Sequence, residues 1–144
     1  MTVFVTGVTG FIGYHMCEAL LARGHSVIGV DNLNDYYDVA LKRARLERLK
    51  PHGGFKFVQA DICDGEAMQR ALGDADEVRA VLHLAAQAGV RYSLINPMAY
   101  VESNIVGQLK ILELCRGLKN LRHLVYASSS SVYGGSKALP FSES

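Results

Sequence analysis

The sequence predicts a doubly wound α/β domain: a parallel five-stranded sheet in the order 3-2-1-4-5 with helices on both faces. Three observations carry that expectation. Short β-branched runs alternate with longer segments whose apolar residues recur at helical spacing. Glycines stand at positions 7, 10 and 13, where the first such run gives way to the first helix. The chain has 144 residues, 49% of them hydrophobic and 20% charged, enough for one domain with its own core.

Taken in order, Thr2–Thr6 reads as the first strand. Phe11–Arg23 follows as a helix carrying Ile12, Met16, Ala19 and Leu20 at helical spacing, with Gly24 as its stop. Val27–Val30 is a second strand. Asp38–Lys50 is a second helix, closed by Pro51. Its Leu41, Ala44 and Leu49 face, with Glu47 among the cations, reads as a solvated amphipathic helix rather than a nucleic-acid surface. Phe55–Gln59 is the third strand, and Asp64 caps a short helix through Leu72 with Gly73 behind it. Arg79–Leu84 is the fourth strand. Asn96-Pro97 supplies a cap residue and an N1 proline for a long helix with Val101, Ile105, Leu109 and Leu112 along one face, ended by Gly117. His123–Ala127 is the fifth strand. The segment after Tyr133 reads as a loop, and a doubly wound fold ordinarily continues into further helix and strand.

Composition excludes several classes. The net charge of +1 sets up no field toward nucleic acid or a membrane surface. No apolar run approaches the ~20 residues of a membrane span, and Thr2-Val3-Phe4 opens a strand with no basic-then-apolar leader before it. Cys17, Cys63 and Cys115 are odd in number and far apart, which fits reduced thiols and a cytoplasmic location. The five histidines show no ligand spacing, so no metal site is expected.

The chemistry centres on Thr6-Gly7-Val8-Thr9-Gly10-Phe11-Ile12-Gly13. A turn without Cβ atoms lets a pyrophosphate approach the backbone, and the helix N-terminus behind it offers free N–H groups and a partial positive charge. Asp31 stands 18 residues beyond Gly13, after the second strand, and suits the ribose hydroxyls of a dinucleotide. A carboxylate there repels a 2′-phosphate, which favours NAD over NADP. Asp61-Ile62 follows the third strand and pairs a carboxylate for an adenine amino group with an apolar side chain for the ring. The small residues after His83-Leu84, Ala85 and Ala86, leave room for the middle of such a cofactor, and His83 itself reads as a packed strand residue. Asp31–Asp35 fails as a calcium loop, because Leu33 occupies a ligand position and the sixth-position glycine is missing.

The pieces "VTGVTGFIG", "VDNLNDYYD", "ADICD", "HLAAQAGVRYS", "ESNIVG" and "YASSSSVYG" together resemble the extended short-chain dehydrogenase/reductase family, the sugar-nucleotide epimerases and dehydratases. Within it the chain looks most like the UDP-glucuronate 4-epimerase subfamily. The resemblance implies NAD on Gly7, Gly10, Phe11, Ile12 and Gly13, its adenosine ribose by Asp31 and Asn32, its adenine by Asp61 and Ile62, and its middle by Leu84, Ala85 and Ala86. It implies Asn104 near the nicotinamide half, and Ser129 hydrogen-bonded to the sugar's reacting hydroxyl. The implied reaction interconverts UDP-glucuronate and UDP-galacturonate: a Tyr phenolate takes the C4 hydroxyl proton, C4 is oxidised by NAD, the ketone rotates, and hydride returns to its other face. A nearby Lys lowers the Tyr pKa. The resemblance also implies a homodimer through the Pro97–Arg116 helix.

Tyr133 and Lys137 have the spacing of such a Tyr-Lys pair, but they do not read as one. Residues four apart share a face only on a helix, and Gly134 and Gly135 between them each cost ~1 kcal/mol there relative to Ala. On an extended strand Ser129 and Tyr133 would lie ~13 Å apart, too far to share one substrate hydroxyl. In the family Tyr133-Gly134 matches the tail of the serine motif, and the Tyr-x-x-x-Lys pair comes later. The expectation is a cofactor half with one catalytic serine, inactive by itself, and an apolar patch on strand five; the alternatives are a non-catalytic NAD-binding module or a 4,6-dehydratase or reductase of the same family.

Overall fold

The computed structural model describes residues 1–73 and 75–143. Five parallel strands, β1 (Thr2–Thr6), β2 (Ser26–Asp31), β3 (Phe55–Gln59), β4 (Val78–His83) and β5 (His123–Tyr126), form one sheet in the order β3-β2-β1-β4-β5. This is the expected order, with strand ends within a residue of those read from the sequence. Every strand-to-strand connection is a crossover, so both faces of the sheet are covered, and the strands alternate between two apolar layers. Val3 and Val5 point to one side with Val8, Tyr14, Cys17, Val27 and Leu49; Phe4 points to the other with Val30, Met68, Leu72, Val81 and Ile111.

Four helical stretches supply those layers. α1 (Phe11–Ala22) and α2 (Val39–Leu49) cover the first side, and α3 (Gly65–Leu72) the second. Asp38 and Asp64 cap α2 and α3 by accepting from Ala40 N (2.7 Å) and Ala67 N (2.9 Å). The long helix is interrupted. After a short α4 (Pro97–Tyr100), capped by Asn96, the chain makes a π-helical stretch over Val101–Gly107 and resumes as α5 (Gln108–Gly117).

Three helix faces differ from the expected ones; in α1, Ile12, Met16 and Ala19 are exposed and Gly13, Tyr14 and Cys17 are buried. Val101, Ile105, Leu109 and Leu112 are 39%, 64%, 57% and 41% exposed, while Gly107, Ile111 and Leu114 turn inward. Both stripes are apolar, so periodicity cannot choose between them. Gly107 chooses: a Cβ there would stand 2.5 Å from Ile62 Cδ1, so only this glycine lets the helix come down on the core. In α2, Leu41 and Ala44 are exposed and the buried positions are Lys42, Leu46 and Leu49. Leu46 and Leu49 carry Lys42 inward with them, since the three share one face at helical spacing.

The β5 edge is open. Val125 and Tyr126 are exposed, as the apolar patch expected on this strand requires. Cys17, Cys63 and Cys115 are free thiols, and burial pushes Cys17 up to about 12, far from thiolate at neutral pH. Among the described residues no helix is long and apolar enough to cross a membrane, and no cluster could hold a metal ion.

Candidate functional site

In a doubly wound sheet a ligand crevice opens beyond the carboxyl ends of the strands, where the strand order reverses. Here that point lies between β1 and β4, and a cleft of about 670 Å³ opens there. Its walls include Gly7, Gly10, Phe11, Ile12, Gly13, Asp31, Asn32, Asp61, Ile62, Leu84, Ala85 and Ala86, which brings twelve of the residues singled out from the sequence into one site.

The floor is the β1–α1 turn. Gly7 has φ +73° and donates its N–H to the Val30 carbonyl (2.8 Å). A Cβ on Gly7 would press within 2.8 Å of Ala85 N, and one on Gly13 would stand 2.0 Å from the Gly7 carbonyl oxygen. Gly10 precedes α1 without any side-chain cap, and Tyr14 N is the first to bond back, to Gly10 O (3.0 Å). The N–H groups of Phe11, Ile12 and Gly13 therefore have no protein acceptor among the described residues, and all three residues line the cleft. An anion laid over this turn would satisfy them. The Phe11 and Ile12 side chains are exposed.

Asp31 ends β2, 8% exposed, and both its oxygens are engaged: Oδ2 accepts from Thr9 N (3.1 Å) and Oδ1 from Leu33 N (2.9 Å). A carboxylate has about four acceptor positions, so it both braces the turn and keeps capacity toward the cleft. Asn32 donates to Asp61 Oδ2 (2.9 Å), and Asp61 Oδ1 accepts from Cys63 N (2.9 Å). Burial works to raise the Asp61 carboxyl, but the Cys63 N–H and the Asn32 amide outweigh it and hold it below the usual range. Ile62 is buried and packs into the core as well as lining the cleft.

The opposite wall hangs on Thr6, which sequence reading passed over. Its hydroxyl accepts from Leu84 N (3.2 Å) and Ala85 N (3.1 Å) and lies 2.7 Å from His83 Nδ1. With both acceptor positions taken, the hydroxyl proton goes to Nδ1, and the imidazole is neutral with its own proton on Nε2. Burial lowers the His83 pKa in the same direction. His83 is thus a packed strand residue that shapes the wall.

Asn104 sits in the π-helical stretch and does not line the cleft. Its Oδ1 accepts from Gln87 N (2.9 Å) and its Nδ2 donates to Gln87 O (3.0 Å), so it fixes the backbone of a residue that does. A π-helical turn is an irregularity often found beside functional sites. Ser129 lies two residues past Ala127, the last cleft residue on that side, where it is exposed and caps a short 3₁₀ turn by accepting from Ser131 N (3.2 Å). Tyr133 ends that turn and stacks on Phe141, with ring centroids 4.7 Å apart, while Lys137 is exposed in irregular chain. The two share no helix.

Sequence reading also missed Tyr36, Lys42 and Arg45, all on the cleft. Tyr36 packs on Tyr92 (centroids 4.8 Å) and so ties the loop after β2 to the loop after β4. Lys42 could have been found from Leu46 and Leu49, which share its face.

A family model described as GDP-mannose 4,6 dehydratase matches residues 4–144. The chain belongs to that family. The membership agrees with the short-chain dehydrogenase/reductase resemblance carried by the motifs. Family relatives include UDP-glucuronate 4-epimerase 1 of Arabidopsis thaliana, 49% identical over 144 residues, covering 100% of this chain and 33% of that protein. The UDP-glucuronate 4-epimerase of Thermodesulfobacterium geofontis is 51% identical over 139 residues, covering 96% and 42%. Among solved structures, UDP-glucuronic acid 4-epimerase from Bacillus cereus, in complex with UDP-glucuronic acid and NAD, superposes with a TM-score of 0.83 at 34% identity, covering 99% of this chain and 44% of that one. The chain thus spans a third to under half the length of these relatives.

Proposed function

We propose that residues 1–144 are the NAD-binding Rossmann portion of a nucleotide-sugar 4-epimerase acting on UDP-glucuronate and UDP-galacturonate. The observation that carries this reading is the start of α1: three unpartnered N–H groups over a turn with no room for Cβ atoms, beside Asp31. The relatives' names supply the substrate class.

The residues present fit a dinucleotide. The Phe11, Ile12 and Gly13 N–H groups hold the diphosphate, Asp31 and Asn32 meet the adenosine ribose, and Asp61 and Ile62 flank the adenine. Leu84, Ala85 and Ala86 form the wall along the middle, and Asn104 acts on the nicotinamide half through Gln87. When bound, NAD supplies a reversible hydride acceptor for the sugar's C4. Ser129 hydrogen-bonds the C4 hydroxyl, a role for which it must release Ser131. Tyr133 and Lys137 take no proton in this scheme, since no helix aligns them. Ser130 and Ser131, rather than an acid pair, follow Ser129, which favours an epimerase over a 4,6-dehydratase.

The assembly we propose is a homodimer through the exposed Val101, Ile105, Leu109 and Leu112 stripe, and the free thiols accord with a cytoplasmic location. Thermal unfolding tests the cofactor. Saturating NAD should stabilise the chain by about 2.7 kcal/mol at a hundredfold excess over Kd, and NADP by less. Gly10→Val should abolish the effect. Equal protection by the two cofactors refutes the role given to Asp31, and no protection by either refutes the site. Given UDP-glucuronate and NAD, the 144-residue chain should form little UDP-galacturonate; brisk turnover would restore Tyr133 and Lys137 as the working pair.

A further inference from the structure

The loops after β2 and β4 meet through a row of tyrosines. In the sheet β2 and β4 flank β1, so they stand about 10 Å apart, two strand spacings. Yet the Tyr36 and Tyr92 ring centroids lie 4.8 Å apart, with the rings tilted by 46°. Tyr92 lies 6.4 Å from Tyr100 of α4, whose hydroxyl donates to the carbonyls of Ala88 (3.2 Å) and Gly89. Gly89 has φ +87°, and a Cβ there would collide with the Tyr36 hydroxyl oxygen. Tyr36 lines the cleft from the β2 side and Ala88 from the β4 side, with the glycine turn as the floor. A tie between these two loops therefore crosses the end of β1, over the turn that carries the unpartnered N–H groups.

This bridge is not built into the core. Tyr36, Tyr92 and Tyr100 are half-buried, and neither apolar layer includes them. The chain on both sides of Tyr36 is exposed, as is the stretch from Ala88 to Arg91. Segments with few buried apolar contacts open locally, well short of global unfolding. The start of the β4 loop is held differently: Gln87 is buried, and Asn104 grips both its N–H and its carbonyl. The loop is thus anchored at Gln87 and fastened only by ring packing and the Tyr100 hydroxyl beyond it.

We propose that Tyr36, Tyr92 and Tyr100 form a latch across the cleft, which opens to admit or release a dinucleotide and closes again over its diphosphate. Tyr92 and Tyr100 do not line the cleft, so they act through Tyr36 and the β4 loop as positioning residues. A contact that is the same in the empty and the filled cleft favours neither, and so it sets how fast the cofactor exchanges rather than how tightly it is held. This inference rests on the dinucleotide reading of the cleft.

Stopped-flow mixing of the 144-residue chain with NADH, followed by the nicotinamide fluorescence, tests it; the chain has no tryptophan to interfere. Tyr92→Ala should raise the association and dissociation rate constants together, by about three- to tenfold, the worth of one aromatic pair. The Kd from isothermal titration should stay within about twofold. Tyr100→Phe keeps the ring and loses the hydroxyl, and should raise both rates by less. A merely loosened fold would speed dissociation alone and weaken binding; that result overturns the latch, as do unchanged rates. Should Tyr92→Ala fail to fold, Tyr100→Phe decides on the same two rates. An unchanged chain that binds neither NADH nor NAD brings down the dinucleotide reading and this inference together; binding with rates that respond in any other way sinks this inference alone.

Discussion

The glycine turn and the segment after β5 stand at the same carboxyl end of the sheet and are held in opposite ways. Between Gly7 and Gly13 the backbone lies against backbone from β2, the loop after β4 and its own helix, and Thr6 and Asp31 each make several bonds to it or to the facing wall. From Ser128 to Lys137 the hydrogen bonds and ring contacts are local: Ser129 with Ser131, Gly134 with Ser131, Tyr133 with Phe141. The first region inherits its precision from the core. The second has side chains of the right kind with nothing from the core to aim them. Placement of a functional side chain is thus a property of what lies behind it, and only the cofactor end has that support within this chain.

Four substitutions or conditions grade this contrast. Gly13→Ala drives a Cβ against the Gly7 carbonyl, and backbone on both sides leaves nowhere to move; it should cost about 3 kcal/mol or more of stability, read by denaturant unfolding, together with cofactor binding. Asn104→Ala should cost about 1–3 kcal/mol by leaving the Gln87 N–H and carbonyl unpaired, and should weaken NAD binding, although Asn104 does not line the cleft. A variant with unchanged unfolding and unchanged NAD affinity would show that Gln87 needs no such clamp.

The third test uses pH. Burial holds the folded His83 pKa below its ordinary 6.5, so the unfolded chain binds the extra proton first on acidification. The stability tied to neutral His83 is fully present above about 6.5 and is lost as pH falls from there through the folded pKa. The unfolding midpoint should drop over that window, more steeply than in His83→Gln; parallel curves would show that His83 tolerates its charge in the folded wall. Smallest of all, Ser129→Ala should change stability by no more than about 0.5 kcal/mol and leave NAD affinity as it was. A larger loss would mean that the segment after β5 is anchored to the core after all.

The strands and their order were legible in the sequence because β-branched runs, helical spacing and stop residues are local signals. The twelve cleft residues were legible because each lies at a strand's carboxyl end or in the turn, loop or helix start that follows it, and topology gathers those segments. What stayed hidden depends on distant partners. The inward face of α5 is selected by Gly107 meeting Ile62, a contact between segments far apart in the chain. The amide of Asn104 is spent on Gln87, 17 residues away, so its motif marked it as important without showing that it acts through another residue. Lys42 is the exception: its signal was local, in the helical spacing to Leu46 and Leu49, and reading Leu41 and Ala44 as the apolar face concealed it.

The 2.0 Å approach of a Gly13 Cβ to the Gly7 carbonyl has a bearing on descent. That collision exists whether or not any nucleotide is ever bound, so selection for mere foldability preserves the glycine. A descendant that had abandoned redox chemistry altogether would still carry it. Loss of cofactor in such lineages would show first at positions the architecture can spare.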